Sequence, residues 1–200
     1  WAGARIMASP AGLQGSIGYY LDRALQSAGL TRADAQIEPA EPPVYEEALR
    51  TGQADLVIAL EPWLTRYAAS EDVGVLLPLE RFAPDLQASV IVYSANFLAS
   101  GEAAESFARA YMLAVRRYLQ GPTPENVEIV AAFTGLEADL VSRLCWSYTP
   151  PDGRINVETI AGFQSWLVEQ GFLDAALPAE EYTDPRVAQL EEQVRQLNGL

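Results

Sequence analysis

Residues 54–60, ADLVIAL, place the strongest constraint on what this chain can fold into. Apart from Asp55 the run is apolar, and its valine, isoleucine and leucine residues suit a strand. A continuously apolar strand needs cover on both faces, which is typical of a parallel sheet between helices. We therefore predict an α/β fold in which this run is a buried strand that leads directly into Glu61, Pro62 and Trp63.

The residues around this run alternate between strand-like and helix-like patterns. Helices with apolar residues at helical spacing are predicted at 16–29 and 45–52, where Gly29 and Gly52 end them and Ser16 is an N-cap. Further strands are predicted at 5–8, 35–38, 74–77 and 89–94. Strands that alternate with helices indicate a doubly wound parallel sheet.

Beyond residue 95 the sequence predicts helices alone, at 102–120, 124–133, 137–147, 157–170 and 185–198. The first of these has a broad apolar face made of Phe107, Tyr111, Leu113, Ala114 and Tyr118. The change in composition predicts two domains, an α/β lobe at 1–94 and a helical region at 95–200. The helices either form a bundle or cover a sheet whose strands are not in this chain.

The charged residues exclude several functions. The net charge of −14 disfavours nucleic acid as a partner. All 13 basic residues are arginine, so the chain has no lysine nucleophile and no histidine to act as general base or metal ligand. We expect no metal and no cofactor. Cys145 lies in an apolar helical pattern and is predicted to be a buried structural thiol.

The segment SPAGLQGSIGYY, residues 9–20, is the first candidate binding site. Its glycines lie between the end of a strand and the start of a helix, where free backbone N–H groups favour an anion. Gln14, Gly15, Ser16 and Ile17 are the candidate ligand contacts, with Gly12 in the same loop. In the alternative interpretation, Ser16 only caps the helix and the glycines only form the turn.

The tip Glu61–Pro62–Trp63 is the second candidate. It follows a parallel strand, so it should face the same crevice as the glycine loop. Glu61 and Trp63 are the candidate contacts there. Local helix capping by Glu61 and Pro62, with Trp63 in the core, explains the same residues without a ligand.

Five segments together resemble the ABC-transporter solute-binding proteins of the nitrate, sulfonate, taurine and thiamine-precursor group. They are WAGARI, GSIGYYLDRALQSAGL, ALRTGQADLVIALEPW, ESFARAYMLAVRRYLQ and PDGRINVETIAGFQSWLVEQGFL, in that order. The resemblance implies the type II periplasmic-binding-protein fold, with two α/β lobes closing on one ligand. Residues 1–94 would be the second lobe, and the helical region would return to a first lobe that should precede Trp1.

The resemblance implies a solute-binding component of an ABC importer that captures a small, anionic organic solute. Gly15, Ser16 and Ile17 would supply the helix-end contact, with Glu61 and Trp63 on the cleft wall. The partner would be an ABC permease, and the location periplasmic or otherwise extracytoplasmic, with or without a lipid anchor. We expect no enzymatic activity; an enzyme of pyrimidine-precursor synthesis or chorismate-dehydratase type, or a sensory ligand-binding domain, are the alternatives. Without a first lobe, exposed apolar faces should favour self-association.

Overall fold

The computed structural model describes residues 1–151 and 153–197. The chain divides into two compact units. The first unit contains residues 1–88 and 162–175, and the second contains residues 89–161 and those from 176 onward. Each unit is described separately below, because each has its own elements and its own core.

A three-stranded parallel sheet forms the centre of the first unit. The strands β1 (Arg5–Ala8), β2 (Gln36–Pro39) and β3 (Leu56–Val57) lie in the order β2-β1-β3. Ile6 of β1 pairs with Ile37 on one side and Leu56 on the other. The parallel sheet and the three strand positions confirm the α/β prediction, although β3 is shorter and only half-buried where a fully buried strand was predicted.

Alternation along β1 directs its side chains into two separate cores, one on each face of the sheet. Ile6 and Ala8 pack on one face with α1 (Pro10–Leu13) and α2 (Ser16–Ser27), through Leu13, Ile17, Leu21 and Leu25. Met7 packs on the other face with α3 (Tyr45–Arg50) and α4 (Trp63–Ala68), through Tyr45, Ala48, Ala54 and Tyr67. Helices on both faces of a parallel sheet are the arrangement that the apolar strand pattern predicted.

The buried carboxylate of Asp22 joins α2 to the later part of α9 (Val157–Glu169) and also pairs with Arg32. Asp22 is 7% exposed, and its Oδ1 accepts a hydrogen bond from Arg32 Nε at 2.6 Å. The other oxygen, Oδ2, accepts a bond from the indole Nε1 of Trp166 at 2.8 Å. Trp166 is itself 4% exposed, so the helix that returns late in the chain is fixed onto α2 by one carboxylate.

The second unit consists of helices within the described residues. Besides the first residues of α9, they are α5 (Ala95–Leu98), α6 (Glu102–Tyr118), α7 (Pro124–Thr134), α8 (Ala138–Arg143), α10 (Ala179–Tyr182) and α11 (Pro185–Leu197). The predicted helices are confirmed in position, with α8 ending four residues early; residue 198, the predicted end of the last helix, lies outside the described residues.

The buried face of α6 differs from the prediction. Ala104, Ala108, Met112 and Val115 are buried, whereas Phe107 and Leu113 of the predicted face are 44% and 47% exposed. Small alanine side chains let a neighbouring helix approach closely, and α11 packs here through Leu190 and Val194. The aromatic pattern was therefore misleading, because packing selected the face with the small residues.

Three further predictions were wrong. Residues 74–77 and 89–94 form no strand, and they leave Leu76 63% and Val92 85% exposed. Cys145 is exposed, because α8 ends at Arg143 before the thiol can join its apolar face. Ser16 is the first residue of α2 and not its cap; the N-cap is Gly15, which has no side chain to cap with.

Candidate functional site

Three loops leave the sheet from the same edge, at the carboxyl ends of its strands. All three strands are parallel, and the Ile58 N–H donates to Met7 O at 2.9 Å just beyond β3. On the other side of β1, the Ala40 N–H donates to Ala8 O at 3.0 Å. The glycine loop, residues 9–15, and the tip at residues 61–63 thus lie at one edge, as the sequence predicted. The carboxyl edge of a parallel sheet is where α/β proteins bind ligands.

The glycine loop is compact and held by its own hydrogen bonds. The Gly12 N–H donates to Ser9 Oγ at 3.2 Å, and the Gly15 N–H donates to Gly12 O at 3.0 Å. A Cβ on Gly12 would lie 2.5 Å from Ile17 Cδ1 and 2.6 Å from Ser9 Oγ. A larger residue at position 12 would therefore have to displace the side chains of Ile17 and Ser9, which shows how closely the loop packs on the first turn of α2.

The first turn of α2 presents backbone donors at this edge. The Tyr19 N–H donates to Gly15 O, so the N–H groups of Ser16, Ile17 and Gly18 precede the first helical bond. Within the part of the chain that the structure describes, these three groups have no hydrogen-bond partner. Ser16 is half-buried and Gln14 is exposed. Ile17 is 7% exposed with its side chain in the core, so only its backbone N–H is available to a ligand.

Glu61 is engaged locally, as its capping interpretation requires. Its Oε2 accepts a hydrogen bond from the Thr65 N–H at 3.1 Å, and its Oε1 accepts one from Thr65 Oγ1 at 2.8 Å. The Glu61–Pro62 peptide bond is cis. The carboxylate therefore stabilises the start of α4.

Trp63 is half-buried at the tip. It packs against the core that contains Met7 and Tyr45, and its ring stacks on Tyr67 with centroids 5.9 Å apart. The guanidinium carbon of Arg66 lies 5.1 Å from the Trp63 ring centroid. Long side chains on a helix lean toward its N-terminus, which brings Arg66 back toward the sheet edge.

Arg66 is the residue that the sequence analysis missed. It is exposed and forms no ion pair with any described residue. Its position three residues after Trp63 was the available signal, because residues at this spacing share one face of the helix that capping by Glu61 and Pro62 would start. A cation held against an aromatic ring can contact an anionic ligand.

Two buried tyrosines hold the third loop of this edge. Tyr45 donates a hydrogen bond to Ala40 O at 3.0 Å, and Tyr67 donates one to Pro42 O. Burial raises the pKa of Tyr45 to about 12, with smaller contributions from Glu41 and Tyr67. Burial also raises the pKa of Tyr67. Both side chains therefore stay neutral at ordinary pH and act as fixed donors to the loop.

The described residues include no group of three histidine, cysteine or acidic side chains that could hold a metal ion. Among the same residues, no helix combines the length and apolar character needed to cross a bilayer.

The comparisons with known proteins find a structural relative. No family model and no curated protein sequence matches the chain. The structure resembles that of the periplasmic aliphatic sulphonate binding protein SsuA from Escherichia coli, with a TM-score of 0.71 at 17% sequence identity. The match covers 92% of this chain and 59% of the other. The chain thus has an α/β fold of the periplasmic-binding-protein type, and it spans about three-fifths of that relative's length.

Proposed function

We propose that this chain is the solute-binding component of an ABC importer and captures a small anionic organic solute of the sulfonate, taurine, nitrate or pyrimidine-precursor class. It works without catalysis, at an extracytoplasmic location, and delivers its ligand to a membrane permease. Residues 1–94 serve as the ligand-binding α/β lobe, on which residues 162–175 also pack, and the other residues of 95–200 serve as a helical region that packs on a further lobe.

The observation that carries this proposal is the meeting of two predicted sites at one sheet edge. The unpaired N–H groups of α2 and the Trp63 tip both follow adjacent parallel strands, β1 and β3. Ser16 and Trp63 are both half-buried, so neither is sealed in the core. This combination of backbone donors and an aromatic wall suits a ligand with a charged head and an apolar body.

Because the charged residues at this edge are mainly acidic, an anion must be bound there by short hydrogen bonds and not by long-range electrostatic attraction. A net charge of −14 repels anions at long range, and Glu41 and Glu61 lie in loops of the same edge. Binding must therefore depend on short contacts from the N–H groups of Ser16, Ile17 and Gly18, with Arg66 as the nearby cation. Gln14 can add a side-chain amide.

The structural relative supports the same class of function. That protein is a periplasmic binding protein for aliphatic sulphonates. A sulfonate offers three acceptor oxygens on one sulfur, which suits several N–H donors that converge at a helix terminus. An aliphatic chain attached to it would lie against Trp63.

Isothermal titration calorimetry of the full chain with alkanesulfonates, taurine and nitrate tests the proposal. The decisive variant is Ser16→Pro, because proline fits the first position of a helix and removes one N–H donor without disturbing α2. Loss of one hydrogen bond to a charged group costs about 1.5–3 kcal/mol, which weakens binding about 10- to 150-fold.

Arg109→Gln is the matched control for Arg66→Gln. Both arginines are exposed and without an ion pair among the described residues, but Arg109 lies on α6 in the second unit. Arg66→Gln should weaken anion binding and Arg109→Gln should not. The proposed function is contradicted if the unaltered protein binds no member of the panel, or if Ser16→Pro binds as tightly as the parent.

A further inference from the structure

Residues 162–175, the return segment, pack against the first turn of α2 within the first unit. The N–H of Tyr19 forms the first hydrogen bond of α2, so Tyr19 directly follows the three free N–H groups of the candidate site. Its ring meets those of Phe163 and Trp166 edge to face, with centroids 5.5 and 5.6 Å apart. The return segment therefore contacts the turn that presents the candidate ligand donors.

Hydrogen bonds connect the return segment to the same turn. The indole Nε1 of Trp166 donates to Asp22 Oδ2 at 2.8 Å. The other oxygen of Asp22 accepts from Arg32 Nε, and Arg32 Nη2 donates to Gly18 O at 3.3 Å. Gly18 carries the last of the three free N–H groups, so one carboxylate and one guanidinium connect it to Trp166.

The return segment is attached to its unit through few buried side chains. Trp166 is 4% exposed, but Phe172 is 43% exposed and most other residues of the segment are half-buried or exposed. Among the described residues, neither core of the sheet contains a side chain from this segment. A segment with so few buried contacts can detach locally at a lower free energy than unfolding of the sheet requires.

We propose that Trp166 is a positioning residue of the anion site: the docked return segment holds the first turn of α2 in the conformation that binds. This inference rests on the function proposed above. Helix ends fray, and donors that move must be ordered when a ligand binds, which lowers affinity. In the docked state the aromatic rings fix Tyr19 and Arg32 fixes Gly18, so the donors are ordered before the ligand arrives. Docking and ligand binding then strengthen each other by the same factor.

Trp166→Phe tests this coupling, because it keeps an aromatic ring and removes the N–H that bonds Asp22. The full chain is titrated calorimetrically with alkanesulfonates, taurine and nitrate, under conditions where urea unfolding shows every variant to be folded, so that lost stability alone does not change affinity. We expect affinity for the compound that the parent binds most tightly to fall about 5-fold or more.

Trp146→Phe is the matched control. The buried Nε1 of Trp146 has no hydrogen-bond partner in the part of the chain that the structure describes, and this residue lies in the second unit. The substitution makes the same chemical change without breaking a hydrogen bond, so it should leave affinity unchanged.

The reciprocal effect is measured by NMR on the unaltered protein, which requires no variant to fold. A saturating concentration of the same compound should slow the exchange of the Trp166 indole N–H with water about 5-fold or more, and should leave that of Trp146 unchanged. Equal affinity of Trp166→Phe and the parent, no slowing at Trp166, or equal slowing at both indoles would overturn this inference and leave the proposed function intact. A parent that binds none of the compounds contradicts the proposed function, and this inference with it.

Discussion

The carboxylate of Asp22 offers the sharpest test of how the first unit is held together. Asp22→Asn keeps the size of the side chain and one oxygen that can accept from Trp166 Nε1. It replaces the other oxygen with an NH₂ group, which faces Arg32 Nε at the 2.6 Å position of the present hydrogen bond. Two donors then oppose each other, and the guanidinium loses its only carboxylate among the described residues.

The magnitude follows from the burial of the pair. Removing one partner of a fully buried ion pair costs about 3–5 kcal/mol. The Asp22 side chain is 9% exposed, but that of Arg32 is 30% exposed, so water recovers part of the loss. With the Trp166 bond retained, we expect the free energy of unfolding to fall by about 2–3 kcal/mol. Long-range electrostatics alone would predict that Asp22→Asn stabilises the protein, since neutralising one acidic residue in a chain with a net charge of −14 reduces repulsion.

Urea unfolding followed by tryptophan fluorescence measures this loss. With an m-value of about 2–3 kcal/mol/M, the midpoint should fall by about 1 M. Asp139→Asn is the matched control, because Asp139 pairs with Arg143 at 2.8 Å on the surface and its side chain is 83% exposed. That variant should change stability by less than about 0.5 kcal/mol. A midpoint for Asp22→Asn equal to that of the parent or of the control would refute the reasoning.

Two further predictions concern the same unit. Gly18→Ala should destabilise the protein by about 1–3 kcal/mol in thermal unfolding, because the new Cβ would lie 2.1 Å from Leu13 O. Gly162→Ala is the control and should be neutral or stabilising, because its Cβ would meet nothing closer than Tyr19 Oη at 4.0 Å. Equal effects of the two substitutions would contradict this prediction. The hydrogen bond from Arg5 lowers the pKa of Asp55 to about 2. The ionised Asp55 therefore contributes fully to the stability of the fold above about pH 4, and this contribution is lost as the pH falls toward about 2. Asp55→Asn should therefore lower the melting temperature at pH 7. The difference in melting temperature between the parent and this variant should stay constant from pH 7 to pH 4 and shrink between pH 4 and pH 2.

The elements that could be predicted from the sequence are those whose signals are local. β1 was predicted at its observed residues because an apolar strand there is followed by a glycine-rich turn, and Gly29 ends α2 with a φ of +72° as a C-terminal glycine does. The N-cap was misassigned by one residue, since Ser16 suits that position chemically but the loop hydrogen bonds start the helix at Gly15. Which residue caps a helix depends on the backbone geometry of the preceding loop, and residue types alone do not predict that geometry.

The candidate site was predictable in location and not in its contacts. Strand order places Ser16 and Trp63 at one edge, which the alternation of strands and helices already indicates. The engagement of Glu61 by Thr65, and the position of Arg66 over Trp63, depend on how the chain turns after β3. Side-chain direction within that turn is a tertiary property, so a residue list from sequence could include Glu61 and omit Arg66.

The failed strands at 74–77 and 89–94 follow from a general asymmetry between helices and sheets. A helix satisfies its backbone groups within itself, so α6 and α7 form where their sequences predict them. A strand needs a neighbouring strand to pair its backbone groups. High β-propensity therefore shows that a segment can join a sheet, but it does not show that a partner strand is present. Residues 89–94 keep the composition of a strand, while the backbone of residues 90–93 has no hydrogen-bond partner among the described residues. Strong propensity without a neighbouring strand is therefore not enough to form a sheet, and this is the physical reason why both predicted strands are absent from the sheet β2-β1-β3.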